Sequence, residues 1–199
     1  MSTLKQILEL EKIEITSIQL TQLDKFTELL QEWNKIHNLT GAKTVQDIYP
    51  NIVDALYPCT FIEKPNSILD VGTGAGFPGM MLAIAYPDVY TVLCEPRKKR
   101  ASFLKYVAME LELSNVEVAK KRVEDYDNKA FGLISSRAVT NTNMLLELTE
   151  HLQDNLTQYL FYKGEQVFSE LEAVHMKLDY DIIEKNQRNY LYIKGQLCG

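Results

Sequence analysis

Ser67-Ile68-Leu69-Asp70-Val71-Gly72-Thr73-Gly74-Ala75-Gly76-Phe77-Pro78-Gly79 is the stretch on which the fold of this chain turns. Ser67 to Val71 is a short apolar run of the kind that fills a central parallel strand. Gly72, Gly74 and Gly76 follow at once and remove the side chains that would keep a ligand off the backbone. Pro78 suits the first turn of a helix, where its missing N–H costs nothing. Strand, glycine-rich turn and helix in immediate succession predict a cradle for a cofactor.

Beyond the cradle, strand and helix signals alternate. Strands are expected over 67–71, 89–94, 115–119, 131–135 and 157–162, and helices over 78–86, 97–112, 141–152 and 164–177. Such alternation implies a parallel sheet wound by crossover helices. Leu178 to Glu184 and Tyr190 to Lys194 then have strand composition with only 185–189 between them, which predicts a C-terminal antiparallel hairpin. Ahead of the cradle, Leu4 to Glu11 and Ser17 to Ile36 carry apolar residues at helical spacing, and Gln46 to Tyr57 reads as a further short helix. The expected organisation is a helical cap over residues 1–64 and an α/β core over 65–199. A parallel sheet finished by an antiparallel hairpin is the ordering of Rossmann-like methyltransferases, and a dehydrogenase has no need of it.

Acids around the cradle bear on what it holds. A dinucleotide site wants G-x-G-x-x-G directly after the strand, but Phe77 stands where the third glycine of the register from Gly72 would fall. The register from Gly74, through Gly76 and Gly79, does fit. Asp70 is expected to accept, through water, from the ammonium of an amino-acid-bearing cofactor, whereas it would repel a pyrophosphate. Glu95 closes the second strand and can accept from both ribose hydroxyls, as acids about 20 residues past such loops do. Its alternative reading is a solvated loop acid. The two acids and the loop favour S-adenosylmethionine over NAD.

Composition sets the outer bounds. The 199 residues, 46% hydrophobic, suit one α/β domain with an appendage. No basic-then-apolar leader opens the chain and no apolar run reaches membrane-spanning length, so a cytoplasmic protein without membrane association is expected. Cys59, Cys94 and Cys198 are scattered, and His37, His151 and His175 lack ligand spacing, so neither a disulfide framework nor a metal site is expected. The net charge of −6 is uneven: Arg97 to Arg122 holds eight basic residues against three acids. That zone reads either as a solvated helix face or as a patch facing RNA.

Candidate chemistry gathers where strands end. Arg122-Val123-Glu124-Asp125 follows the third strand, where Glu124 or the Val123 backbone could read an adenine amino group, unless the segment is a plain surface turn. Ser135-Ser136-Arg137-Ala138 ends the fourth strand and offers Arg137 either to a ligand or to a buried ion pair. Lys163-Gly164 ends the fifth, and Arg188 in the hairpin turn adds a third cation to the same rim.

The glycine loop, Trp33-Asn34-Lys35 with Asn38-Leu39-Thr40, Lys99 to Leu104, Arg122-Val123-Glu124, Ser136-Arg137-Ala138 and Lys163-Gly164 together resemble the bacterial RsmG (GidB) family. That resemblance implies a Rossmann-like class I S-adenosylmethionine-dependent methyltransferase acting on N7 of a guanine in 16S ribosomal RNA, naked or in the small subunit. It places Gly72, Phe77, Val123, Glu124 and Arg137 at the cofactor, and Asn38, Arg122, Lys163 and Arg188 on the substrate side. Departures are Asn51 where the family commonly has histidine, Glu95-Pro96 where Asp-Ser is usual, and Asn189-Tyr190 after Arg188. A methyltransferase of small molecules or proteins, or a non-catalytic nucleotide-binding module, is the alternative.

Overall fold

A computed structural model describes residues 2–127, 129–174 and 177–196; His175 and Cys198 lie outside the described residues. Seven strands form one sheet: β1 (Ser67–Val71), β2 (Tyr90–Cys94), β3 (Val116–Ala119), β4 (Leu133–Arg137), β5 (Gln158–Lys163), β6 (Leu178–Lys185) and β7 (Arg188–Gln196), in the order β3-β2-β1-β4-β5-β7-β6. β1 to β5 pair in parallel, while β7 runs antiparallel to both β5 and β6. The chain leaves β1 in one direction toward β2 and β3 and returns on its other side at β4. The crevice beyond the carboxyl ends of β1 and β4 is therefore the topological switch point, where such sheets bind ligands.

Three amino-terminal helices, α1 (Leu4–Leu10), α2 (Ser17–His37) and α3 (Val45–Leu56), begin in the same way. Thr3, Thr16 and Thr44 each accept an amide at their helix start and receive a reciprocal side-chain partner, Gln6, Gln19 and Asp47. These capping boxes satisfy amides that the first turn leaves without partners. Phe26, Leu30 and Ile52 share one apolar cluster with Met80 of α4 (Gly79–Ala85) and Phe103 of α5 (Lys98–Glu110). Fully burying a side chain such as Phe26 contributes about 1.5–3 kcal/mol. On the opposite sheet face, Leu69, Ile134 and Phe161 pack with Leu145 of α6 (Thr142–Thr149) and Val167 of α7 (Val167–Glu172). Short α4 is closed by side chains from elsewhere: Gln19 Nε2 donates to the Ile84 and Ala85 carbonyls, and Asn115 Nδ2 to the Ala83 and Tyr86 carbonyls.

Three of the differences from the sequence reading bear on the site. β4 starts at Leu133, not 131, because the chain crosses Asn66 at Gly132, where any Cβ would lie 2.2 Å from Asn66 Oδ1. The strand also runs two residues past its expected end, and Arg137 is its last residue. α7 covers only six residues, since Gly164 to Gln166 turn before it. The hairpin turn is shorter than expected: Asn186 takes a left-handed φ of 54° and lets strand pairing reach Lys185 and Arg188. That places Arg188 in β7 rather than in the turn.

Candidate functional site

A cleft of about 470 Å³ opens at the carboxyl ends of β1, β2 and β4. The glycine loop supplies Gly72, Thr73, Gly74 and Phe77 to its wall, the β2 end supplies Glu95, and the β4 end supplies Arg137 to Val139. Leu39 and Thr40 close it from the cap. The loop is drawn toward the end of β2, with the Gly72 amide donating to the Cys94 carbonyl at 2.8 Å. Gly76 stands apart from its two companions. It faces the core, where a Cβ would come within 3.1–3.3 Å of Met80, Leu104 and Phe26, and its φ is 101°. Close packing requires that glycine, rather than approach of a ligand.

Glu95 is buried yet lines the cleft. Its Oε2 accepts the Gly74 amide at 3.0 Å and its Oε1 the Arg97 amide at 2.8 Å, so one carboxylate ties the loop to the start of α5. A carboxylate offers about four acceptor positions, and lone pairs remain for a ligand diol. Arg100 Nη1 stands 3.9 Å from Oε2. The solvated-loop reading of this acid does not hold.

Asp70 does not join the lining. It is the fourth residue of a five-residue strand, covered by α4, and has no solvent exposure. Oδ2 accepts the Gly79 amide at 2.8 Å and Oδ1 the Ser135 hydroxyl at 2.7 Å. Burial pushes its carboxyl up to about 6, against the lowering effect of the nearby Thr73 hydroxyl, the Ser135 and Gly79 hydrogen bonds and the Arg137 charge. The expected water-mediated contact with an ammonium gives way to a role beneath the loop.

The remaining expected residues separate into distinct places. Arg137 lines the cleft, lies over the Phe77 ring at 4.9 Å and pairs with Asp54 at 3.0 Å, so its ligand-facing and ion-pair readings coexist. Arg188 is turned inward, giving Nε and Nη2 to the two Asp54 oxygens at 2.8 and 3.2 Å. Lys163 is buried and bonded to the Thr140 carbonyl at 3.0 Å and to Glu170 at 2.8 Å. Burial pushes the Glu170 carboxyl up, but the Lys163 ammonium and two Thr142 donors outweigh it and hold that acid below its ordinary range. Lys163 therefore fastens the segment after β4 to α7 and does not reach the cleft wall. Asn38 is the exposed, left-handed C-cap of α2. Val123 is packed in the core beside the β3 end, and Glu124 is exposed, 3.8 Å from exposed Arg122. Neither Val123 nor Glu124 belongs to the cleft lining.

Asp54 is the residue that sequence reasoning missed. It gathers Arg137, Arg188 and the Tyr190 hydroxyl at 3.1 Å. An acid set within Ile52-Val53-Asp54-Ala55-Leu56 is the available signal, because a carboxylate in an apolar run demands partners. Asn34, noticed only as part of a motif, holds the cap side of the cleft through the Thr40 amide at 2.7 Å and the Ala42 carbonyl at 2.6 Å. Among the described residues, no group of three or more His, Cys, Asp or Glu side chains could hold a metal ion, and no helix is long and apolar enough to cross a membrane.

A family model described as rRNA small subunit methyltransferase G matches residues 19–196. The chain belongs to that family. A relative named ribosomal RNA small subunit methyltransferase G from Aliarcobacter butzleri is 48% identical over 192 residues, covering 96% of this chain and 98% of its own length. One of the same name from Wolinella succinogenes is 46% identical, covering 98% and 100%. Among solved structures, a SAM-dependent methyltransferase from Aquifex aeolicus has a TM-score of 0.59 at 17% identity over 72% of this chain and 92% of that one. That likeness supports the Rossmann-like class I methyltransferase fold, and membership in the G family makes this chain a methyltransferase.

Proposed function

We propose that this protein transfers the methyl group of S-adenosylmethionine to N7 of a guanine in 16S ribosomal RNA, presented as naked RNA or in a small-subunit particle in the cytoplasm. The observation that carries the reading is that Glu95, Arg137 and the glycine loop line one cleft at the switch point of the sheet. The donor set fits this cofactor: Glu95 retains acceptors for a ribose diol, Arg137 offers N–H groups to an amino-acid carboxylate, and Gly72 and Gly74 open the loop backbone to close approach. Gly72, Gly74, Phe77, Glu95 and Arg137 form the cofactor side in this reading, with Val123 and Glu124 at its outer flank and Asp70 and Gly76 supporting the loop from below. Asn38 and Arg122 face the RNA, while Lys163 and Arg188 hold the rim in shape. Residues 1–64 form the cap over a transferase core of residues 65–199.

When bound, the cofactor supplies an electrophilic sulfonium methyl. Guanine N7 has an in-plane lone pair and no proton to lose, so its attack needs no general base. Alignment is what the protein supplies. Positive charge moves from sulfur to the purine in the reaction, which constrains the guanidinium at the rim. Arg137 must leave N7 bare, since the common Arg fork on O6 and N7 would occupy the attacking lone pair. Pairing with Asp54 restrains its approach.

Purified protein, labelled S-adenosylmethionine and either small ribosomal subunits or naked 16S RNA provide the test. Label recovered in 7-methylguanine supports the reading. Label only in protein or in a small molecule, or in another base, overturns it.

A further inference from the structure

Asp54 sits in the last turn of α3 and is shared by two guanidinium groups that line different cavities. Arg137 lines the cofactor-side cleft and the neighbouring cavity of about 430 Å³ beneath the cap. Arg188 lines a separate cavity of about 530 Å³ beside the hairpin turn, to which Asp54 and Tyr190 also contribute. The two arginines are held differently. Arg188 meets the carboxylate side-on through Nε and Nη2, and its Nη1 reaches the Lys163 carbonyl at 3.4 Å. Three of the five N–H donors of a guanidinium are thereby committed within the protein. Arg137 gives a single N–H, from Nη1 at 3.0 Å, and its Cζ lies over the Phe77 ring at 4.9 Å.

One carboxylate facing two cations keeps a surplus positive charge, and a partly buried ion cluster of this kind contributes little net stability. It is a good arrangement for aiming. Arg188, anchored to β5 through the Lys163 carbonyl, fixes the Asp54 carboxylate, and the carboxylate fixes the direction of Arg137 above the Phe77 ring. The remaining donors of Arg137 are left toward the cavities. We infer that Asp54 is a positioning residue that aims Arg137 at the carboxylate of the bound cofactor, with Arg188 as its anchor rather than as a ligand-binding cation. This rests on the reading of the cleft as the S-adenosylmethionine site.

Direct titration of the full chain with S-adenosylmethionine, without RNA or turnover, tests it, using Asp54→Asn, Arg137→Gln, their combination, and Asp54→Asn with Arg188→Met. Thermal unfolding is followed for each. Asp54→Asn should weaken cofactor binding about tenfold, in the range for residues in direct contact. The Asp54/Arg137 double variant should bind no more weakly than Arg137→Gln alone, since the aim of an absent guanidinium has no value. Arg188→Met removes the surplus cation, so it should return thermal stability to the Asp54→Asn background while leaving affinity low. Should Asp54→Asn fail to fold, that relieved double variant carries the comparison. Affinity within twofold of the parent, additive losses in the Asp54/Arg137 pair, or recovery of affinity with Arg188→Met would each overturn the inference. A parent chain that binds no S-adenosylmethionine would instead remove the reading of the cleft itself.

Discussion

Position 70 carries a carboxylate inside the sheet, bonded to a hydroxyl from β4 and to the first amide of α4. Folding raises it from 3.8 to about 6, with burial as the main cause. The folded chain thus binds this proton more tightly than the unfolded chain. The residue's favourable contribution is fully present below about 3.8 and is lost as pH rises through about 6. A shift of that size corresponds to roughly 3 kcal/mol set against the native state at neutral pH. Asp70→Asn cannot ionise and provides the reference. In cofactor-free protein, urea unfolding should show the stability of the parent relative to Asp70→Asn increasing as pH is lowered from about 7 to about 4. A difference independent of pH would mean that the carboxyl stays ionised throughout and that burial is not its governing influence. What the charge supplies in return is local: an ionised acceptor strengthens the hydrogen bond to the Gly79 amide and pins the loop where it enters the helix.

Elements meet at the cleft through side chains that cap neighbouring segments. Asn34, near the end of α2, bonds both the Thr40 amide and the Ala42 carbonyl, so the helix end shapes the wall contributed by the cap. Asn34→Ala removes both bonds and should cost about 2 kcal/mol, taking about 1 kcal/mol for each. Hydrogen exchange at the Thr40 amide should accelerate, and S-adenosylmethionine should bind more weakly because Thr40 no longer holds its place. Unchanged exchange at Thr40 would show that the loop keeps its form without Asn34. At this scale the sequence was a good guide: β1, β2 and β5 are apolar runs bounded by glycine, proline or polar residues, and each appears where its run occurs. Gly132 and Asn186 mark the limits of that legibility. A crossing against Asn66 and a left-handed turn residue moved strand ends by one or two positions, and neither follows from periodicity. Glu95 and Arg137 were legible as strand-end residues, whereas the partners of Arg137 and Arg188 were not. Asp54 lies 83 and 134 residues from them, and only the closed fold brings α3 over the ends of β4 and β7.

Charge is distributed over the molecule in a way that the fold makes purposeful. Lys98 and Lys99 are exposed in the first turn of α5, after β2, and Lys120, Lys121 and Arg122 are exposed just after β3. β2 and β3 are parallel neighbours, so both groups stand at the sheet end that carries the cleft. The first turn of α5 has no acid, although the helix dipole favours acids there by about 0.3–1 kcal/mol each. Cations at that place are a local electrostatic disadvantage that an external polyanion would offset. Replacing Lys98, Lys99 and Lys120 together by glutamine should therefore separate binding from stability. Thermal unfolding should hold or rise slightly, because cations leave the positive end of the helix. Affinity for 16S RNA should fall, and its dependence on salt should become shallower by about 0.7–0.9 in logarithmic slope for each phosphate the variant no longer neutralises. Binding measured from about 50 to about 200 mM salt distinguishes the cases, since that interval spans orders of magnitude in affinity for a protein gripping several phosphates. A slope identical to that of the parent would reduce the basic rim to a solvated face and require the cap to carry the RNA.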